Sequence, residues 1–212
     1  MAALALASFA DLINASDCDF TLEWNQQSSV SADGEGHPRG RGQPLWMAKI
    51  TSPAMAKADA LALMALVNSL QGSLGTFLLY DKRLPYPSSD TSGTTFGAAT
   101  PVVGTITDNV TAAFTGFPNN YSIPLGTYVQ IIFDTSRYYL GQFAEAKTAN
   151  GSGAVSASKL TPPLPDGVDP GNAVTVKKPS GKFRLINGSA HLTNVTTHEA
   201  SLVFSAKQTH EQ

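Results

Sequence analysis

The sequence predicts a mainly β fold with a single helix. Three observations carry this prediction. Most apolar residues fall in short segments that alternate with polar residues or are rich in β-branched and aromatic side chains. Gly, Pro, Ser and Thr cluster between these segments, as in turns and loops. One stretch, near residues 56–71, shows the i, i+3, i+4, i+7 spacing of an amphipathic helix.

Segments with strand character recur along the whole chain. In the first, Phe20, Leu22 and Trp24 alternate with polar residues, which is typical of a strand with one buried face. Residues 29–44 carry four glycines and two prolines without periodicity, so they predict a long loop or an extended hairpin tip. The predicted strands are residues 20–24, 45–50, 76–80, 102–107, 111–115, 128–133, 137–146, 154–159, 174–177, 183–186 and 200–206, with 191–197 as an additional candidate.

The predicted helix spans about residues 56–71. Ser52 followed by Pro53 offers an N-cap and a first helical residue for an earlier start. Gly72 suits the left-handed C′ position that ends a helix, and Gly75 supplies a second bend before the next strand. The core-facing stripe of the helix consists of Leu63, Leu66, Val67 and Leu70.

Composition divides the chain into two lobes. Residues 84–101 are rich in Pro, Ser, Thr and Gly and predict a linker that leaves the first lobe. Two strands alone are unstable in water, so the last strands are expected to pair with the N-terminal sheet. The predicted domains are therefore residues 1–97 with 179–212, a discontinuous β-sandwich, and residues 98–178, an inserted small antiparallel β-barrel or sandwich.

The charge content limits the partners that the protein can have. Charged residues make up 14% of the sequence, against roughly 25% in an average domain, and the net charge is −2. We therefore expect no specific nucleic-acid partner and no membrane partner, since both favour a basic surface. The single Cys18 excludes an intramolecular disulfide. The opening MAALALASFADL lacks a leading Lys or Arg, and we interpret it as a structural segment rather than a signal peptide.

The sequence predicts no catalytic residue, metal ligand or cofactor site. His37, His191, His198 and His210 lack ligand spacing and are predicted to lie at the surface or in loops. No serine lies in a GxSxG elbow, and the glycine-rich loop is not followed by the Lys-Ser/Thr of a phosphate-binding loop. That loop is either mobile or an assembly arm that orders on contact. Its candidate assembly residues are Gly34, Gly36, Arg39, Gly40, Arg41 and Gly42.

Several motifs resemble, in order, those of one protein family. SPAMAKADALALMALVNSLQGSLGTFLLYD, residues 52–81, is similar to the helix–strand signature of distal tail proteins of tailed bacteriophages with long non-contractile tails. The Leu-x-Gly-x-x-Gly turn of that family is matched by Leu70, Gly72 and Gly75, and the Asp that ends its strand is matched by Asp81. Three later segments resemble the same family: LGTYVQI, LTPPLPDG and PSGKFRLI.

The resemblance implies a structural virion protein without enzyme activity or cofactor. It implies a tail-tube-like β-sandwich with one packed helix, and a hexameric ring at the distal end of the phage tail. The implied partners are further copies of the chain, the tail tube protein and the tail-tip or baseplate hub protein. Synthesis would take place in the bacterial cytoplasm.

Two departures from the family leave other interpretations open. The helix lacks an aromatic residue near Leu63 or Met64, and the loop after Leu160 lacks a basic residue, so another tail tube or tail-tip structural protein remains an alternative. A carbohydrate-binding β-sandwich module is a second alternative. It would need aromatic side chains in a row on one sheet face, whereas Tyr138, Tyr139 and Phe143 are interpreted as core and edge residues.

Overall fold

The computed structural model describes residues 3–211 and shows a mainly β chain with one packed α-helix and a closed antiparallel barrel, which confirms the predicted fold class. Helix α1 spans Lys57–Asn68, and two 3-10 helices span Leu6–Ser8 and Ala10–Leu12. The strands are β1 (Asp17–Glu23), β2 (Gln26–Val30), β3 (Gly36–Gly40), β4 (Leu45–Thr51), β5 (Met55–Ala56), β6 (Phe77–Leu79), β7 (Val102–Asp108), β8 (Thr111–Thr115), β9 (Ser122–Ile123), β10 (Tyr128–Phe133), β11 (Arg137–Phe143), β12 (Lys147–Thr148), β13 (Val155–Thr161), β14 (Ala173–Thr175), β15 (Gly181–Leu185), β16 (His191–Asn194) and β17 (Glu199–Gln208).

The first lobe is built on an antiparallel sheet with the strand order β1-β4-β17-β15-β6, and β5 and β16 pair with the other part of β17. Strand β17 lies at its centre, where Phe204 opposes Ile50 of β4. Strand β15 joins β17 to β6, and Phe183 opposes Phe77. The final strands thus complete the sheet that the N-terminal part of the chain begins, as their lack of other partners predicts.

Residues 4–13 and helix α1 cover the inner face of this sheet. Phe9 is fully buried, and its ring lies 4.4 Å from the ring of Phe77 and 6.0 Å from that of Phe204. The Leu4 amide donates to the Thr76 carbonyl at 2.9 Å, which extends the sheet by one bridge. Burying one such side chain contributes about 1.5–3 kcal/mol, so this segment is a substantial part of the first core.

Helix α1 begins at Lys57, within one residue of the predicted start near residue 56, so the earlier start that Ser52 and Pro53 offer is not used. The Ser52 hydroxyl instead accepts a hydrogen bond from the Leu202 amide at 2.8 Å, which ties β4 to β17. Ala56 occupies the N-cap without a side-chain cap. In the predicted stripe Val67 and Leu70 are buried, and Leu63 and Leu66 are half-buried against the same core.

The chain leaves α1 through a left-handed turn that is longer than predicted. The helix ends at Asn68, so Gly72 is not its C′ residue, although its φ of 68° is left-handed. Gln71 shares this conformation with a φ of 54°. Gly75 acts by size rather than by φ, because a Cβ there would lie 2.7 Å from the Leu70 carbonyl oxygen. This close approach lets the Gly75 amide donate to the same oxygen at 2.8 Å.

The second lobe is a closed barrel with the strand order β10-β11-β13-β8-β7-β14. Its interior is aromatic, since Phe114, Phe133, Tyr139 and Phe143 are almost completely buried. The Tyr139 hydroxyl donates to the Pro162 carbonyl at 2.5 Å, so the buried ring keeps a partner for its polar atom. Strands β9 and β12 form a separate pair beside the barrel.

The stretch predicted as a linker, residues 84–101, is packed rather than free. The Asp90 carboxylate accepts hydrogen bonds from the amides of Phe96 and Thr95 at 2.7 and 3.2 Å. This turn buries Phe96 in the barrel core beside Tyr121, with ring centroids 5.7 Å apart. Polar composition therefore marks a loop here, and a carboxylate that binds backbone amides fixes its shape.

The two lobes meet through specific contacts. The Trp46 indole N–H donates to the Leu140 carbonyl at 2.7 Å, and the rings of Trp46 and Tyr128 are 5.5 Å apart. The Ser180 amide and hydroxyl both donate to the Gln130 side-chain oxygen, at 2.7 and 2.9 Å. Division into domains at residues 97/98 and 178/179 stays a prediction.

Candidate assembly surface

A two-stranded ribbon, strands β2 and β3 with their connecting turn, projects from the first lobe. We call residues 26–41 the arm. Every residue of β2 and of β3 is exposed, and these two strands pair only with each other. Of the two predicted forms, loop or extended hairpin, the structure shows the hairpin. A two-stranded ribbon is marginally stable in water without a hydrophobic face, so the arm lacks the burial that stabilises the rest of the chain.

The register of the arm separates two faces. Gln27 opposes Arg39 and Ser29 opposes His37, so these side chains share one face. The Arg41 amide donates to the Asn25 carbonyl at 2.8 Å, which continues the ladder and puts Arg41 on the same face by alternation. The opposite face carries Gln26 and the small or apolar residues Ser28, Val30, Gly36, Pro38 and Gly40.

The charges of the arm are segregated along its length. Arg39 and Arg41 at the base form no ion pair with any residue among 3–211. At the tip, the Asp33 carboxylate accepts hydrogen bonds from the Ser31 hydroxyl and the Glu35 amide, and these bonds lower the pKa of Asp33. Gly34 fits this turn because its φ is 85°, a conformation that costs other residues energy.

The predicted assembly residues therefore lie together in the arm or at its base. Gly36 and Gly40 lie in β3, and Gly42 follows Arg41, where a Cβ would approach the Asn25 side chain at 3.0 Å. Trp24 was expected on the buried face of β1, but it lies beyond the end of that strand and is 51% exposed. It thus adds an aromatic side chain to the base of the arm.

The outer face of the first sheet carries an acidic row that the sequence analysis missed. Asp17, Asp19 and Glu23 on β1 are exposed, whereas the inward residues between them are buried or half-buried. Strand β1 is an edge strand and pairs only with β4. Glu23 forms an ion pair with Lys207 at 2.6 Å, while Asp17 and Asp19 form none within the described chain. The alternation of acidic and apolar residues from 17 to 23 was the signal that could have revealed this row.

The titratable groups of residues 3–211 take part in local structural contacts. Within residues 3–211, no group of three His, Cys, Asp or Glu side chains is placed to hold a metal ion. Burial raises the pKa of Cys18 to about 11, which keeps the thiol protonated and unreactive. The Tyr80 hydroxyl donates to Asp11 at 2.9 Å, and Lys178 pairs with the same carboxylate at 3.1 Å. This cluster connects the residues around Asp11 to the segment before β15 that returns from the barrel, and its role is structural.

The four histidines lie at the surface or in a loop, as predicted. His37, His191 and His198 are exposed. His210 lies in the loop after β17 and is half-buried, with its ring 6.2 Å from the Phe133 ring. Burial, with a contribution from nearby Arg137, lowers the pKa of His210 to about 4. The return of the C-terminal strand to the barrel, which local sequence does not show, creates this environment.

The aromatic side chains do not form a sugar platform. Tyr139 and Phe143 are fully buried, and Tyr138 is half-buried. Trp24 is the aromatic residue with a largely exposed side chain among residues 3–211. A carbohydrate-binding face needs several such rings in a row, and this arrangement does not provide them.

Neither protein-family models nor the curated proteins give a match to this sequence. Among the residues that the structure describes, no helix has the length and apolarity needed to cross a membrane.

Proposed function

We propose that the chain is a structural subunit of a bacteriophage tail that forms a homo-oligomeric ring at the distal end of the tail. In this proposal the ring is hexameric, as the resemblance to distal tail proteins implies, and links the tail tube to the tail-tip or baseplate hub. The protein is a virion component without enzyme activity, and its partners are further copies of itself, the tail tube protein and the hub protein.

The observation that carries this proposal is the arm. An ordered ribbon whose strand residues are all exposed gains little stabilisation from contacts within its own molecule. Such a ribbon is expected to gain its burial from a neighbour, and an assembly of identical subunits supplies one at high local concentration. The low charge content supports the same proposal, because a weakly charged surface is less costly to desolvate.

Removing the arm tests the proposal. Gln26 and Gly40 are cross-strand partners, so deleting residues 27–39 and joining them through Asn-Gly leaves the first sheet undisturbed. The full chain is expected to form rings in negative-stain micrographs and a defined oligomer by light scattering. The deleted chain is expected to keep the melting temperature of the monomer and to lose the oligomer. A full chain that stays monomeric at high concentration would contradict the proposed ring.

A binding experiment tests the partners in the same proposal. The purified ring is expected to retain the tail tube protein and the hub protein of the same phage, each in a stoichiometric complex. The arm-deleted chain serves as the matched control. If the full chain binds a polysaccharide but neither tail protein, the alternative of a carbohydrate-binding module replaces this one.

A further inference from the structure

We infer that the basic face of the arm docks on the acidic row of β1 in a second copy of the chain. This inference rests on the proposed ring and assigns the two surfaces that form its subunit contact. The arm surface is His37, Arg39 and Arg41, and the receiving surface is Asp17 and Asp19. Among residues 3–211, no residue of the two sets forms an ion pair within its own copy.

Charge complementarity favours a second copy as the occupant. Among the 14 basic and 16 acidic residues of the sequence, these two exposed sets have opposite sign and form no ion pair within residues 3–211, and Lys49 is the basic residue that faces Asp19 across the sheet. Attraction between complementary surfaces guides association and fixes its register, while like charges brought together oppose wrong pairings. A partner of uniform charge would attract either the basic arm surface or the acidic row and would repel the other.

The spacing of the charges also matches. Arg39 and Arg41 are two residues apart on an extended ribbon, and Asp17 and Asp19 are two residues apart on an extended strand. Both pairs therefore have a separation of about 6.6 Å, so the two pairs can meet at once. Asp19 directly opposes the exposed Lys49 of β4, and both line a shallow depression of the outer sheet face with Met47, which gives the ribbon a surface to lie against.

The contact is heterologous because the two surfaces differ. The arm of one copy contacts the strand of the next, whose own arm is free to contact a third. Heterologous contacts close into a ring when the rotation between neighbours fits, and they otherwise produce a filament. The arm follows Glu23, at the end of β1 opposite to Asp17.

Charge reversal with complementation tests the docking. The arm variant carries Arg39→Glu with Arg41→Glu, and the row variant carries Asp17→Lys with Asp19→Lys. Each variant alone brings like charges together and is expected to weaken self-association at least about tenfold. An equimolar mixture is expected to restore the oligomer, because alternating copies recreate every pairing. The control Lys57→Glu with Lys177→Glu changes the net charge as the arm variant does, at exposed sites outside both surfaces, and is expected to assemble normally.

Disulfide trapping gives a second readout that does not depend on a stable oligomer. Arg39→Cys in one tagged chain and Asp19→Cys in a differently tagged chain are expected to cross-link under mild oxidation. Buried Cys18 gives little background. The control pairs Arg39→Cys with Lys177→Cys on the barrel and is expected to give no cross-link.

The outcomes separate the docking from the ring. If the arm variant and the row variant each still form rings, the docking is overturned and the proposed ring stands. The same holds if the wild-type chain forms rings but the equimolar mixture of the two variants does not. A monomeric full chain overturns the ring. In that case the trapping experiment at high concentration still decides the docking, and the absence of the mixed disulfide overturns it.

Discussion

At the scale of single residues, His210 illustrates how the fold shifts the pKa of a side chain that has no distinguishing feature in the sequence. Its ring packs against Phe133 of the barrel, and Arg137 lies close enough to disfavour a second positive charge. The folded protein therefore holds this histidine neutral well below pH 6.5. The unfolded chain exposes the same side chain to water, where its usual pKa applies.

This difference predicts an acid-sensitive contribution to stability. Because the pKa of His210 is about 4 in the folded state and 6.5 in the unfolded state, only the unfolded state takes up the proton between these values. The free energy of unfolding is thus expected to fall as the pH drops from about 6.5 toward 4, by about 1–2 kcal/mol between pH 7 and pH 5 after allowance for partial exposure. Denaturant unfolding of the His210→Asn variant across this range is expected to show that much less pH dependence. His191→Asn, at an exposed site, is the control, and identical pH profiles for wild type and His210→Asn would contradict the assignment.

At the scale of elements, local patterns predicted the strands well and failed where tertiary contacts decide. The alternation in β1 and β17 is visible in the sequence because one face of each strand is buried. The helix does not take the earlier start that Ser52 offers, because the Ser52 hydroxyl, a good cap by type, accepts instead from the distant Leu202 amide. The stretch around Asp90 was taken for a linker because its composition does not show which amides the carboxylate binds.

The candidate site shows the same division. The glycines and arginines of the arm were identified from composition, because a glycine-rich segment without helix or strand periodicity indicates an exposed loop or hairpin. The two faces of the arm and the acidic row of β1 depend on register, and register is set by pairing across the sheet. The exposed position of Trp24 depends on where β1 ends, which its apolar character conceals.

The junction between α1 and β6 carries a prediction at this scale. In the Gly75→Ala variant the new methyl group would lie 2.7 Å from the Leu70 carbonyl oxygen and 2.9 Å from its Cα, so the backbone must shift. We expect a loss of about 1–3 kcal/mol and a melting temperature lower by several degrees. Gly40→Ala is the matched control, since nothing lies within 4 Å of its added Cβ. Equal melting temperatures for the two variants would show that the turn adjusts without cost.

At the scale of the whole molecule, the barrel is inserted into the chain of the first lobe. Leu79, near the exit, and Gly181, near the return, are cross-strand partners, so the two ends of the insertion lie about 5 Å apart. Domains inserted in this way are often separable, because the host sheet keeps its pairing when a short connection replaces the insert. The contacts of Trp46 with Leu140 and Tyr128 oppose full independence, since removing the barrel uncovers an aromatic ring.

These opposing features predict the behaviour of two shortened chains. Replacing residues 84–178, which include the packed segment around Asp90, with a short Gly/Ser linker is expected to leave a domain that unfolds cooperatively at a lower temperature than the full chain. Truncation after Lys182 is expected to abolish cooperative unfolding, because it removes β17, the strand that joins β4 to β15, and with it the buried Leu202 and Phe204. Circular dichroism melts of both chains beside the full protein provide the measurement. A truncated chain that melts like the full protein, or an excised chain without a cooperative transition, would show that the first lobe is not a discontinuous domain.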